Sequence, residues 1–217
     1  MTFSGSKPRV AFQGEHGAFS EEAAIKLLGP AIELVPRRTF AELFSSIDEG
    51  VADFVLAPIE NTLAGAVKPT IEIMREGALT ITEEVTIRVE QQLIGCPGAV
   101  FDEIVAVESH PVALAQCRHF FAENPQILMI ESDDTAGSVA RIIAGGDSRR
   151  AAIASRRAAE IYGGVILREN VEDDPQNYTR FVLLSRNWQR SMSNLTEPSA
   201  VAPDAGGGSR DLKLAET

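Results

Sequence analysis

Val10-Ala11-Phe12-Gln13-Gly14-Glu15-His16-Gly17-Ala18-Phe19-Ser20 passes from three apolar residues through a loop with two glycines to a serine. From Ser20 to about Leu28 the apolar residues take helical spacing, and Gly29-Pro30 closes the run. A short strand feeding a helix through a glycine loop is the unit of an α/β fold, and it recurs. A helix opens at Thr39, where Glu42 completes a capping box, and stops at Gly50. Strand Asp53–Ala57 leads into a polar loop, Pro58 to Gly65, then a helix through Ile71 and Met74 to Gly77. Strand Ile104–Val107 feeds a helix over Pro111–Ala122, Ile127–Ile130 one from Thr135 to Ala144, and Ala151–Ala154 one from Ser155 to Tyr162. The pattern predicts a largely parallel sheet.

Leu79–Ile94 departs from it. Thr80, Thr82, Val85, Ile87 and Val89 are strand formers without helical spacing, and Cys96-Pro97-Gly98 ends them with a turn. This stretch is taken as the crossover into a second lobe, with a last strand, Arg180–Ser185, returning to the first. The boundaries expected are a domain over residues 7–187, its first lobe about 7–80 plus 178–187 and its second about 81–177. Residues 188–217 follow as a tail rich in Ser, Pro, Ala and Gly, read as disordered.

Hydrophobic residues at 44% and charged residues at 24% suit a soluble globular chain. A net charge of -11 speaks against nucleic acid as a partner. It also means that an anionic ligand would have to find positive potential locally. Cys96 and Cys117 have neither CxxC spacing nor a disulfide framework, and His16, His110 and His119 form no metal-ligand pattern. Met1–Arg9 has no apolar signal region and no apolar run is long enough to cross a bilayer, so a cytoplasmic protein without membrane contact is expected.

In open α/β sheets, ligands bind beyond the carboxyl ends of the strands. Polar residues stand at each such junction here: Gly17 to Ser20, Asn61-Thr62, Ser109-His110, Asp134-Thr135 and Ser155. Free N–H groups at helix starts bind carboxylates without Lys or Arg, although ordinary N-capping uses the same residue types. In a regular strand Thr179 and Arg180 face opposite sides, so both reach one cleft only if the strand begins irregularly at Thr179.

At these junctions the sequence resembles the prephenate dehydratase catalytic domain, over roughly Arg9 to Ser185. Gln13 to Ala24 is similar to the family's first glycine loop and helix. Pro58-Ile59-Glu60-Asn61 matches its next motif, usually followed by Ser where this chain has Thr62. Ser109-His110-Pro111 through Gln116-Cys117, Asp133-Asp134-Thr135-Ala136-Gly137, Ala151 to Ser155 and Thr179-Arg180-Phe181 follow in order. Six such strings in sequence, each at a junction, are specific where one alone is not. Many members carry a C-terminal ACT domain entered through a glutamate-serine-arginine-proline motif, and no such motif follows Trp188.

The resemblance implies an α/β fold of two lobes, like a type II periplasmic binding protein, with the active site in the interlobe cleft. It implies the decarboxylating dehydration of prephenate to phenylpyruvate, or of arogenate to phenylalanine, with no metal or organic cofactor; a homodimer is compatible with it. A non-catalytic module sensing an amino acid in the same cleft is the reading from another class. By carry-over, Thr179 donates a hydrogen bond or proton to the departing hydroxyl, aided by a group the sequence does not identify. Asn61, Thr62, Ser109 and Thr135 position the substrate or cap. Arg180 steers a carboxylate or ties the lobes, Phe181 is a ring wall or core, and Glu60 is a catalytic carboxylate or a turn stabiliser. His110 is a cap partner or an acid–base group.

Because Ser191–Thr217 offers no periodic apolar face, deleting it is expected to leave the melting temperature nearly unchanged. A large fall in a thermal melt would show that this segment packs on the domain.

Overall fold

The computed structural model describes residues 7–76 and 79–186; the tail and Gly77 lie outside them. Two sheets form two lobes. The first joins β1 (Arg9–Gln13), β2 (Glu33–Arg37), β3 (Phe54–Asn61), β4 (Gly65–Ala66), β5 (Thr80–Arg88) and β11 (Tyr178–Ser185) in the order β2-β1-β3-β11-β5, with β4 on β3. The second joins β6 (Gln92–Gly95), β7 (Ala106–Ser109), β8 (Leu128–Glu131), β9 (Arg150–Ala154) and β10 (Val165–Arg168) in the order β10-β6-β9-β7-β8. Read from β8, the second order repeats the first: two parallel neighbours on one side, an antiparallel strand fourth. The two-lobed α/β class is as expected, but each sheet is mixed rather than largely parallel. In each, the odd strand is the one that arrives from the other lobe.

The helices are α1 (Phe19–Leu28), α2 (Phe40–Asp48), α3 (Lys68–Arg75), α4 (Pro111–Ala115), α5 (Arg118–Glu123), α6 (Thr135–Gly145) and α7 (Arg156–Tyr162). In α1, Glu21 and Glu22 occupy the first turn and Lys26 the last, matching the helix dipole. The capping box of Thr39 and Glu42 is formed as its spacing requires. The single helix expected over Pro111–Ala122 is broken at Gln116-Cys117, which leaves Gln116 outside both pieces.

Three further expectations are corrected. β5 pairs along its length with β11 in the first sheet, so the lobe boundary falls at residues 89–91 and not at 81. β3 does not end at Ala57 but runs to Asn61; Arg180 opposes Glu60 and Phe181 opposes Pro58, so Ile59 is the extra residue of a bulge. Pro58 masks the strand in sequence because it lacks the ladder's N–H donor. The strands β2 and β10, neither anticipated, are partly exposed edges with weak apolar alternation.

The chain crosses between lobes at 89–91 and again at 169–177, and the two crossings bond to each other: Val89 N–H to Asn177 O at 2.7 Å, Val171 N–H to Gln91 O at 2.9 Å. The lobes also share a core, in which Phe12 and Ala18 of the first pack with Ile94, Ala136, Val139 and Ala158 of the second. A polar clasp closes this side. Ser155 Oγ donates to Gly17 O at 2.6 Å, and Arg157 of the second lobe meets the buried Glu21 at 2.5 Å. Glu21 also accepts from His16 Nδ1 at 2.8 Å and from Gly17 N–H at 3.3 Å, so the buried carboxylate is paired and hydrogen-bonded.

Gly17 has φ +88°, and a Cβ there would stand 2.7 Å from the Ala158 backbone. Gly17→Ala should destabilise the fold by about 2–3 kcal/mol, from left-handed strain plus overpacking. A denaturant midpoint equal to that of the parent chain would show that the lobes separate here at no cost.

Candidate active site

A cavity of about 350 Å³ lies between the lobes, bounded by residues of both and by the crossovers. Asn61 and Thr179 come from facing ends of β3 and β11, Thr135 from the start of α6, His110 from the end of β7, and Gln91 from the first crossover. Phe19, Phe40, Val89 and Val112 give it apolar walls. Among the described residues, no Lys, Arg, Asp or Glu lines it.

Asn61 organises the polar side. Its Oδ1 accepts the backbone N–H groups of Leu63 and Ala64 at 3.0 and 2.8 Å, which fixes which way the carboxamide points. Nδ2 therefore faces Thr179 Oγ1 and Asn177 Oδ1, both at 2.8 Å. Thr179 pairs across the sheet with Asn61 and Ile87. Its hydroxyl oxygen accepts from Asn61, so its own proton is free to be donated. Accepting one hydrogen bond also polarises the hydroxyl as a donor. Among the described residues, the side chain bonded to Thr179 Oγ1 is that of Asn61.

Positive potential comes from backbone. Phe19 is the first residue of α1, Val67 directly precedes α3, and Thr135 is the first residue of α6; all three line the cavity. Neither α1 nor α3 has a side-chain cap, so the leading N–H groups of α1 keep capacity for an anion, as do those of Lys68 and Thr70 in α3, where Pro69 offers none. In α6, Asp134 takes only the Gly137 N–H. His110 Nδ1 accepts from Val112 N–H at 3.2 Å, which caps α4 and leaves Nε2 as the ring's donor.

The structure brings together Thr179, Asn61, Thr135 and His110 of the residues singled out in sequence. It does not bring the other five to the cavity. Arg180 points away from Thr179 and pairs with Glu60 and Glu84 at 3.2 Å each, carboxylates that hold its guanidinium pKa up. It ties three strands of one lobe, neither steering a cavity ligand nor joining the lobes, and Glu60 is its partner. The irregularity needed to bring Thr179 and Arg180 to one face is absent from β11, because the bulge sits in β3. Phe181 is core, packed with Val10, Phe54 and Ile87. Thr62 Oγ1 donates to Gln176 O at 2.7 Å and accepts Tyr178 N–H at 3.0 Å, clamping the second crossover. Ser109 is fully buried and donates to Ile153 O at 2.6 Å.

Sequence reasoning assigned no role to Gln13, Gln91 or Gln116, all of which line the cavity. A legible signal existed for Gln91: a polar Gln-Gln pair interrupting strand formers between Val89 and Leu93.

The family model for prephenate dehydratase matches residues 10–189. The chain belongs to the prephenate dehydratase family. It is 40% identical over 183 residues to arogenate dehydratase 3, chloroplastic, of Arabidopsis thaliana, covering 84% of this chain and 43% of that protein. Among solved structures, a prephenate dehydratase in complex with L-Phe from Arthrobacter aurescens superposes with a TM-score of 0.75 at 29% identity, over 82% of this chain and 60% of that one. GqqA, described as a novel type of quorum quenching acylase, superposes with a TM-score of 0.74 at 34% identity, over 90% and 66%. The chain spans less than half the length of the plant relatives it matches. No described helix is long and apolar enough to cross a membrane.

Since Arg180 and its partners are solvent-accessible, Arg180→Gln should cost at most about 1 kcal/mol of stability, read from a denaturant midpoint. A much larger loss would show that this pair of bridges anchors β11.

Proposed function

We propose that the cavity removes water and carbon dioxide from prephenate, giving phenylpyruvate, and that it accepts arogenate in the same way, giving phenylalanine. The observation that carries this is the Asn61–Thr179 pair: a hydroxyl held in place by an amide, its proton unclaimed, at the edge of an apolar cavity. The substrate presents two carboxylates, a ring and a poor leaving group. The carboxylates suit the helix starts at Phe19, Val67 and Thr135, the ring suits the Phe19, Phe40, Val89 and Val112 walls, and the hydroxyl suits Thr179.

In the reaction the ring carboxylate leaves as carbon dioxide, and its bonding electrons enter the ring as the carbon–oxygen bond opposite breaks. The departing oxygen takes a proton and leaves as water. Thr179 supplies that hydrogen bond or proton and is restored from solvent, while Asn61 stabilises the charge that gathers on Oγ1. Because formation of an aromatic ring drives the step, positioning and one donor suffice.

GqqA's likeness raises amide hydrolysis as a second reading. An activated nucleophile needs a base on its proton. Among the described residues, the side chain bonded to Thr179 Oγ1 is Asn61, an amide that donates and cannot take a proton. The geometry favours the dehydratase. Cys96 and Cys117 are buried free thiols, as a cytoplasmic site of action would keep them, although the plant relatives are named chloroplastic.

Incubation with prephenate and arogenate separately, following phenylpyruvate and phenylalanine, tests the proposal; neither product above the uncatalysed background would end it. Thr179→Ala should lower kcat by on the order of 10²-fold or more, and Thr179→Ser should keep part of the rate. Asn61→Asp is the sharper variant. Its carboxylate can still accept from Leu63 and Ala64, but it now draws the Thr179 proton toward itself. The rate should fall by on the order of 10-fold or more with the fold retained, whereas an unchanged rate would remove Asn61 from the mechanism.

A further inference from the structure

The line of amides continues past Asn61. Asn177, fully buried, gives Oδ1 to Asn61 and so turns Nδ2 toward Gln116, whose Oε1 it meets at 2.9 Å. Gln116 therefore presents an oxygen to Gln91, which can answer only with Nε2, at 3.4 Å. Each amide's orientation is set by the one before it, back to the two backbone N–H groups on Asn61. Gln91, last in line, is 2% exposed, and its Oε1 is a buried acceptor without a partner among the described residues. A buried carbonyl left unpaired is costly, and one whose side chain lines a ligand cavity calls for a donor from the ligand.

The surroundings give that donor a sign. The Gln91 N–H is held at 2.9 Å by Glu172, whose side chain is almost wholly buried. Arg88 pairs with both Glu172 and Glu90, leaving two carboxylates to one guanidinium on this side. Cys117, next to Gln116, has its thiol pushed up by burial and by Asp173 and Glu172. Behind this end of the cavity the carboxylates of Glu172 and Glu90 outnumber the one guanidinium they share, and the wall itself carries a spare acceptor, while the helix starts lie at other parts of it. Glutamine's last torsion is soft, so Oε1 can swing onto the cavity face while the long bond to Gln116 adjusts.

Prephenate and arogenate differ at one group. The first bears a keto oxygen, which only accepts hydrogen bonds; the second bears an ammonium, which only donates. Resting on the dehydratase reading, we infer that Gln91 is the specificity-determining residue of this cavity, its Oε1 accepting an N–H from the substrate ammonium, so that the chain prefers arogenate to prephenate. Prephenate in the same pose sets one acceptor against another.

The test is kcat/KM for both substrates in the full chain and in two variants. The parent chain should favour arogenate by about tenfold or more, the worth of one hydrogen bond to a charged group. Gln91→Met keeps length and removes the acceptor; it should cut kcat/KM for arogenate about tenfold, mainly through KM, with prephenate held within about twofold. Gln91→Glu puts a carboxylate at the same place and should move the ratio the other way, penalising prephenate. Equal losses on both substrates would reduce Gln91 to a structural part of the amide line and overturn the inference. A parent chain that favours prephenate overturns it without any variant, so a variant that does not fold leaves the question decidable. A parent chain that turns over neither substrate removes the dehydratase reading together with this one, whereas turnover of prephenate alone removes this one only.

Discussion

Two backbone N–H groups, those of Leu63 and Ala64, set the polar side of the cavity by bonding to one oxygen of Asn61. A carboxamide has near-identical ends, and only its neighbours determine which end is oxygen. Here the tight turn after β3 makes that choice, and it propagates by alternation of donor and acceptor: Asn61 to Thr179 on one side, and through Asn177 and Gln116 to Gln91 on the other. No charge enters this chain, so the cavity reaches a defined arrangement of donors and acceptors without the desolvation penalty of burying ionised groups. The bulge at Ile59 belongs to the same construction. It shifts β3 by one residue against β11 just before Asn61, and so brings the amide opposite Thr179.

Under the proposed function an acidic chain would draw an anionic substrate into a repulsive field, yet its arginines are placed elsewhere. Arg157 closes the lobes on Glu21, Arg38 reaches Asp133 across the cleft, Arg141 and Arg150 hold Glu108, and Arg180 bridges Glu60 and Glu84. Guanidinium groups here fasten sheet to sheet and strand to strand. On that proposal, attraction for the ligand is left to helix starts, whose partial charges are fixed by the backbone and need no reorganisation when a ligand arrives.

Most of the fold was legible because its strongest signals are local. The glycine loop before α1, the capping box of α2 and the caps of α6 and α7 are written in neighbouring residues, and so were read at about their true positions. What failed was what depends on pairing. β5 reads as a strand, but nothing in Thr80–Arg88 says which sheet it joins; that is settled by β11, some ninety residues on. β2 and β10 lie at sheet edges, where one side faces no strand and the apolar pattern fades. The site divides in the same way. Thr179, Asn61, His110 and Thr135, read from motifs at strand ends and a helix start, line the cavity, whereas Arg180, Glu60 and Phe181 were carried along by adjacency in sequence. In a strand adjacency means opposite faces. Gln91 and Gln116 were passed over because glutamine has no chemistry of its own to advertise; its role here comes only from where the amide line ends.

The crossovers explain why the site lies where it does. The chain passes between lobes at 89–91 and 169–177, and these segments bond to each other, so Gln91 is at once crossover and cavity lining, while Asn177, fully buried, holds Asn61 and Gln116 of that lining in place. Across the same interface, Gly17, Ser155 and Glu21 of the clasp are buried, and Arg157 is partly buried against them. Separating the lobes there would leave the Glu21 carboxylate without Arg157 and expose the apolar face shared by Phe12, Ala18 and Ala158. Both costs act against wide opening. Thr179, the second residue of β11 after the second crossover, stands in a cleft held from two sides, with helix starts of both lobes in the same wall. If the reaction is the one proposed, driven by aromatisation, holding the leaving group and the carboxylate in a set relation is the larger part of what a protein can add.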